Sequence, residues 1–327
     1  MRDQVVQMVK FSDDMIYNGI DSESQKEKYL TLDNCVYDEK CESELSDTVK
    51  RSNLFRYLYA GKPIKILHPE RYRIMVRNGK PYKVGTGNEG RIYLAQDLHS
   101  NELVAVKTFS PGFSNYRILK ECGCIHKAQT IFASECDFEP VKLIGLFKLK
   151  NDSRLTEFYH DIMLVMTLAG LAKNVPVCLP LRQAKSMASY KLLDISLSAW
   201  SDILYNVVRG VKLLHDGGLQ HGDYHMGNIC IGYHDERLKL TIIDFGFGKL
   251  YSAVTRRKYS DLYQAITTVR NIAEVLELNH TYEYTAAIVD KANENAFEKD
   301  PKLEELYNFE NVLQGVDQML QLDVPAN

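Results

Sequence analysis

From Arg71 onward, apolar and polar positions alternate in short runs: Tyr72 to Val76, Tyr82 to Val84, Ile92 to Ala95 and Leu103 to Phe109. A period of two is the signature of half-buried strands, and the Asn78-Gly79 pair between the first two runs suits a tight hairpin turn. The segment therefore predicts an antiparallel sheet. Ser114 to Ala133 breaks the alternation: it has no proline, one internal glycine, and Ile118, Cys122, Ile125 and Ala128 recur at three to four residues, the spacing of one helix face. Two more strands are predicted, Val141 to Leu149 and Asp161 to Thr167, joined by the polar Lys150-Asn151-Asp152-Ser153 turn. Beyond Pro180 helical spacing takes over. Trp200, Ile203, Leu204, Val207, Val208, Val211 and Leu214 mark a long amphipathic helix closed by Gly217-Gly218. Asp300-Pro301 suits the cap and first turn of a last helix that carries Leu303, Leu306, Phe309, Leu313, Val316 and Leu320 on one side. The chain has no internal repeat.

Before Arg71 no period is sustained. Residues 1–50 hold twelve Asp/Glu against six Lys/Arg, a local charge of −6 within a chain whose net charge is −3. Short apolar patches at Val5 to Met8 and Met15 to Ile20 suit one or two short helices, so residues 1–70 read as an acidic N-terminal extension that packs on the main body or stays mobile, or else docks a regulatory partner. At 45% hydrophobic and 25% charged, the 327 residues form one large or two small domains with a core that needs no metal or disulfide staple. Near-neutral charge without a Lys/Arg run argues against a nucleic-acid partner. The longest apolar stretch, Ile162 to Ala172, is too short for a membrane span. No secretory signal pattern is present, and the seven cysteines are scattered and odd in number, so an intracellular, cytoplasmic location is expected.

Candidate chemistry lies in the predicted sheet and in the segment after the long helix. Gly85-Thr86-Gly87-Asn88-Glu89-Gly90 sits between two strands; glycines without a Cβ let backbone N–H groups approach phosphate oxygens, although a ligand-free Gly-rich turn would look the same. Seventeen residues after Gly90, Val104-Ala105-Val106-Lys107 puts a lysine on a strand, with Ala105 and Ile92 able to face the same side. Such a lysine could hold phosphates if a carboxylate orients it, and Glu121 is the only acid on the following helix; a surface Lys and a surface Glu are the alternative. Then come His221-Gly222-Asp223-Tyr224-His225-Met226-Gly227-Asn228 and, after an apolar strand, Asp244-Phe245-Gly246.

Taken in order, glycine loop, strand lysine, helix glutamate, H-x-D-x-x-x-x-N and D-F-G, the chain resembles the protein kinases and their phosphotransferase relatives from Val84 to about Asp261. The resemblance implies an α+β, two-lobed protein-kinase-like fold: an antiparallel β-sheet plus one helix in an N-lobe over 71–169, and a reduced, mostly helical C-lobe over 170–327. It also implies ATP and Mg²⁺ as cofactors, and phosphotransfer to an alcohol group. Asp223 would accept or orient the acceptor hydroxyl, with His225 beside it. Asn228 and Asp244 would hold the metal. Lys107, paired with Glu121, would contact the inner phosphates beneath Gly85, Thr86, Gly87 and Gly90. Met166 falls at the gatekeeper position, Thr167 and Ala169 would offer backbone groups to adenine, and Ile92, Ala105 and Cys230 would sandwich the base. Ile125, His221 and Phe245 resemble the side-chain stack that aligns the lobes, and Asp261 resembles the helix aspartate that braces the catalytic loop.

The sequence departs from the family in three places. Gly222 stands where many regulated kinases carry the Arg that reads a phosphorylated activation loop. His225 replaces the usual Lys, giving an H-G-D-x-H-x-x-N form also seen in aminoglycoside phosphotransferases. Only 14 residues separate Gly246 from Asp261, and no A-P-E triplet follows Asp244. The expectation is a divergent Ser/Thr-type protein kinase that needs no activation-loop phosphate and acts on a protein substrate. A small-molecule kinase and a pseudokinase scaffold are the alternatives.

Overall fold

The computed structural model describes residues 39–51, 64–77, 80–87, 89–149, 159–169, 171–172, 175–176, 178–189, 195–234, 237–250, 258–294 and 308–324. These fall into two compact bodies, one of residues 39–130 and 141–168, the other of residues 131–140 and 169–324. The Asn78-Gly79 turn, the 150–153 turn, the patches before residue 21 and the Asp300-Pro301 pair lie outside the described residues.

In the first body, β1 (Tyr72–Ile74), β5 (Gly90–Asp97), β6 (Leu103–Phe109), β8 (Ile162–Thr167) and β7 (Leu143–Lys148) form an antiparallel sheet in that order, with β4 (Lys83–Thr86) also paired to β5. The predicted first strand is interrupted after Ile74, and Val76–Arg77 (β2) pairs instead with Lys80–Pro81 (β3). Register separates the sheet's two faces. Tyr93 pairs with Val106, and Val106 with Val165. This face holds the core, where Tyr93, Val106, Val165, Met163 and Phe147 are fully buried. Residues one position along point the other way: Ile92 pairs with Lys107, Leu94 with Ala105, and Ala105 with Met166.

On the lysine face lies the predicted helix (α2, Asn115–Phe132). Ser114 caps it, accepting the Arg117 and Ile118 N–H groups on its backbone carbonyl. Ile118, Cys122, Ile125 and Ala128 are buried, as their spacing requires. Burial pushes the Cys124 thiol up to about 12, so it is an inert packing group. A helix that the sequence pattern did not signal, α1 (Glu39–Arg51), packs on β7: Leu45 is buried, and Glu44 pairs with Lys148 at 2.5 Å.

The second body is mostly helical. Its centre is α4 (Leu197–Asp216), capped by Ser196, whose hydroxyl accepts the Ala199 N–H, and stopped at Gly217. A side chain at Gly217 would meet Ile131 Cδ1 at 2.4 Å, and Gly218 takes φ +77°, so the two glycines close the helix for different reasons. The buried stripe of α4 includes all seven apolar positions that predicted it. Against it pack α5 (Lys258–Val275) and α7 (Phe309–Asp323), and α6 (Asn279–Glu294) packs on those two. Asn308 caps α7 through its side chain, accepting the Glu310 and Asn311 N–H groups. A short helix, α3 (Leu181–Ser189), precedes α4. The strands β13 (Ile229–His234) and β14 (Arg237–Ile242) form a hairpin with β11 (Cys178–Pro180) at its edge, and β12 (Leu219–Gln220) pairs with β15 (Lys249–Leu250). Before β11, β9 (Leu171–Ala172) pairs with β10 (Val175–Pro176). No helix among the described residues is long and apolar enough to cross a membrane.

Candidate active site

In the first body the sheet register brings the sequence-predicted residues to one surface. Gly85 pairs with Ile92, Ile92 with Lys107, and Ala105 with Met166, so the glycine loop, the apolar pair, the lysine and the gatekeeper methionine share a face. Lys107 Nζ donates to Glu121 Oε1 at 2.6 Å, with the two side chains 4% and 1% exposed. A charge pair this deeply buried is costly in desolvation and is a weak source of stability, so its retention points to use. At Gly90 sterics demand a glycine, because a Cβ there would lie 1.8 Å from the Thr108 carbonyl oxygen. The loop is held at its base by Gly87 N–H to Gly90 O (3.0 Å) and Ser110 N–H to Glu89 O (3.0 Å), while Thr86 and Gly87 are exposed. The Thr167 N–H donates to Lys142 O, so any base contact by Thr167 would use its carbonyl.

In the second body the catalytic-loop candidates hang from backbone hydrogen bonds. Asp261, fully buried near the start of α5, accepts the His221 N–H on Oδ2 (2.8 Å) and the Gly222 N–H on Oδ1 (2.9 Å), and Oδ2 also meets His215 Nε2 at 3.1 Å. The His221 ring is pinned at both nitrogens: Nδ1 accepts from the Asp223 N–H, and Nε2 faces the Ile243 carbonyl at 2.9 Å. That geometry requires the Nε2–H tautomer, and burial lowers the ring's pKa in the same sense. The His221 ring lies 4.8 Å from Phe245, so two of the three residues of the expected stack are together; Ile125 is buried on α2 in the first body. Tyr224 is buried, with its hydroxyl donating to Val207 O, and Gly210 leaves it room.

The β13–β14 ladder brings Asn228 and Asp244 together, and the Asn228 side chain ties in Asp223. Ile229 pairs with Ile242, and the Ile243 N–H then donates to Asn228 O at 2.9 Å, so Asn228 and Asp244 stand at the same end of the hairpin. Asn228 Nδ2 donates to Asp223 O (3.0 Å) and to its Oδ2 (3.3 Å), which turns the amide oxygen away from Asp223. Asp244 has φ +61°, a left-handed conformation that is uncommon outside glycine and collects at functional sites. Two oxygen donors side by side, one on a strained backbone, suit a hard divalent cation.

A match to the protein kinase domain runs over residues 80–287, close to two thirds of the chain and every residue just described. The chain belongs to the protein kinase domain family. Among its relatives are mitogen-activated protein kinase 13 of Pan troglodytes, 24% identical over 169 residues (52% of this chain, 40% of that protein), and the stress-activated protein kinase JNK of Drosophila melanogaster, 25% identical over 166 residues (51% and 39%). Mitogen-activated protein kinase 14 of Xenopus laevis is 24% identical over 184 residues (55% and 42%). The matched stretch thus spans about 40% of the length of these kinases. The α+β protein-kinase-like fold expected from the motifs is the fold observed.

Within this kinase fold several contacts escaped the sequence pattern. His225 accepts the Gly227 N–H on Nδ1 and brings Nε2 to 3.5 Å from Asp223 Oδ2. Arg182, at the start of α3, donates its N–H to Met226 O, and its guanidinium carbon would lie 3.8 Å from a Cβ at Gly227, beside the His225 ring. Gly222 has φ +83°, and a Cβ there would meet the Phe247 carbonyl oxygen at 2.7 Å. Cys230 is buried on β13 opposite Thr241. Glu89 in the glycine loop pairs with Arg117 on α2 at 2.5 Å.

Proposed function

We propose that this kinase-family chain transfers the terminal phosphoryl group of ATP, with Mg²⁺, to a Ser or Thr hydroxyl of a protein, and that it does so without phosphorylation of its activation segment. The observation that carries the reading is the Asp223, Asn228 and Asp244 set on one hairpin end, with Asp244 held at φ +61°. Phosphoryl transfer asks a protein for positioning and charge neutralisation more than for covalent work. Asp223 takes the acceptor hydroxyl and receives its proton on a carboxylate oxygen, with Asn228 Nδ2 fixing that carboxylate. Asn228 and Asp244 are the oxygen donors that would hold Mg²⁺. When bound, the metal neutralises phosphate charge. Lys107, kept in place by Glu121, contacts the inner phosphates beneath the glycine loop. Ile92, Ala105 and Met166, which share one sheet face, receive the adenine base, and the backbone of Thr167 orients it. His225 carries its proton on Nε2, which makes that atom a donor toward Asp223 or the incoming acceptor.

Independence from loop phosphate rests on Gly222. Its positive φ and the 2.7 Å approach of Phe247 O leave no room for an arginine that would read a phosphate. A cytoplasmic setting and a division at about residue 70 between extension and kinase domain belong to the same proposal. A small-molecule acceptor is the second reading, favoured by His225 and by the 14 residues between Gly246 and Asp261. Phosphatase-treated full-length protein, given ATP and Mg²⁺ with generic Ser/Thr proteins and with amino-sugars, separates these readings. Phosphate on protein Ser or Thr after treatment supports the proposal, loss of activity on treatment contradicts loop independence, and phosphate on the amino-sugar alone moves the acceptor to the second reading.

A further inference from the structure

A second carboxylate lies near the one that holds the strand lysine. Glu121 holds Lys107 at 2.6 Å, and a carboxylate oxygen of Glu89 lies within 4.8 Å of one of Glu121. Glu89 belongs to the glycine loop, its side chain is 12% exposed, and its Oε2 is buried without a hydrogen-bond partner among the described residues. Two anions at this separation in a poorly hydrated site repel each other and compete for whatever cation is near. Glu89 is paired with Arg117, one turn before Glu121 on the same helix, whose guanidinium takes Glu89 Oε1 at 2.5 Å. Arg117 is itself braced: it lies 4.3 Å from the centre of the Phe113 ring, and Phe113 stacks on Phe109 at 5.3 Å. Phe109 is two residues past Lys107 on β6, and its ring centre is 5.5 Å from Lys107 Nζ. Lysine, arginine and both acids are thus tied into one alternating set.

We propose that Arg117 is a positioning residue that holds Glu89 aside, and that without it Glu89 captures Lys107 from Glu121 and withdraws the lysine from nucleotide phosphates. The glycine loop thereby carries its own competitor for the site lysine, and the loop's position is coupled to α2 through one ion pair. This inference rests on the phosphate-binding role of Lys107 given above.

The experiment measures ADP affinity with Mg²⁺ by calorimetry on the full chain. Arg117→Ala weakens binding about tenfold, Glu89→Gln changes it less than about twofold, and the double variant returns to within about threefold of wild type, on the scale of coupled charge pairs. Rescue is the discriminating result, because a merely structural arginine stacked on Phe113 would be missed equally whatever stood at residue 89. An unchanged affinity in Arg117→Ala, or a double variant as weak as the single, overturns the inference while leaving the kinase reading intact. A wild type that binds no ADP contradicts the kinase reading itself. Independently of any nucleotide, a crystal structure of Arg117→Ala is expected to show Lys107 Nζ on Glu89; Lys107 still on Glu121 would overturn the exchange.

Discussion

The two bodies hold their charged groups by different means. In the first, each charge is placed by another side chain: Lys107 by Glu121, Glu89 by Arg117. In the second, the loop that carries Asp223 is placed by main-chain groups: Asp261 takes two consecutive backbone N–H groups, and the Ile243 N–H ties Asp244's neighbour to Asn228. Side-chain pairs can exchange partners at modest cost, whereas a buried backbone donor left unpaired costs about 1–3 kcal/mol for each group. The first site is therefore tunable. The second is fixed, and its substitutions should be closer to all-or-none.

The contrast can be broken most forcefully at the fixed site. Asp223→Ala is expected to reduce phosphoryl transfer at least about a thousandfold, the scale of a lost general base, while nucleotide affinity falls little; steady-state kinetics beside calorimetry checks this. Asp261→Asn turns one acceptor oxygen into a donor facing a backbone donor. Chemical denaturation should show a loss of roughly 3 kcal/mol, and activity should fall with it. Gly222→Arg places a side chain where φ is +83° and Phe247 O is 2.7 Å away. It should cost about 1–3 kcal/mol and create no response to phosphorylation; a variant that became phosphate-dependent would refute the reading of Gly222.

At the tunable site a graded answer is expected: Glu121→Gln, which keeps an acceptor for Lys107, should cost less activity than Lys107→Met. Equal, complete loss in both would erase the contrast. The smallest effect lies away from either site. The Arg71 guanidinium, hydrogen-bonded to Asp97 at the edge of the sheet, lowers the Asp97 carboxyl to about 2 from 3.8. Because the folded value is the lower one, the pair stabilises the fold above about pH 4, and that contribution is lost as pH falls toward 2. Asp97→Asn should flatten this part of an acid-denaturation profile.

Much of this arrangement was legible in the residues. The run Leu103 to Phe109 is β6, Ser114 to Ala133 brackets α2, and the alternation that put Ile92 and Ala105 on one side is the register observed once the strands pair. What escaped has a common cause. Arg117 meets Glu89 across 28 positions and His215 meets Asp261 across 46, and no local period encodes contacts of that length. Likewise, the contact of Glu44 on α1 with Lys148 spans 104 positions, and the left-handed backbone of Asp244 is imposed by its surroundings, since aspartate has no strong preference for it.

Incubation of the full chain with γ-labelled ATP and Mg²⁺, wild type beside Asp244→Ala, addresses the central claim most directly. The account predicts label on protein Ser or Thr in the wild type and none in the variant. Label that persists in Asp244→Ala, or a wild type that binds ATP and transfers nothing to protein or amino-sugar, would contradict it.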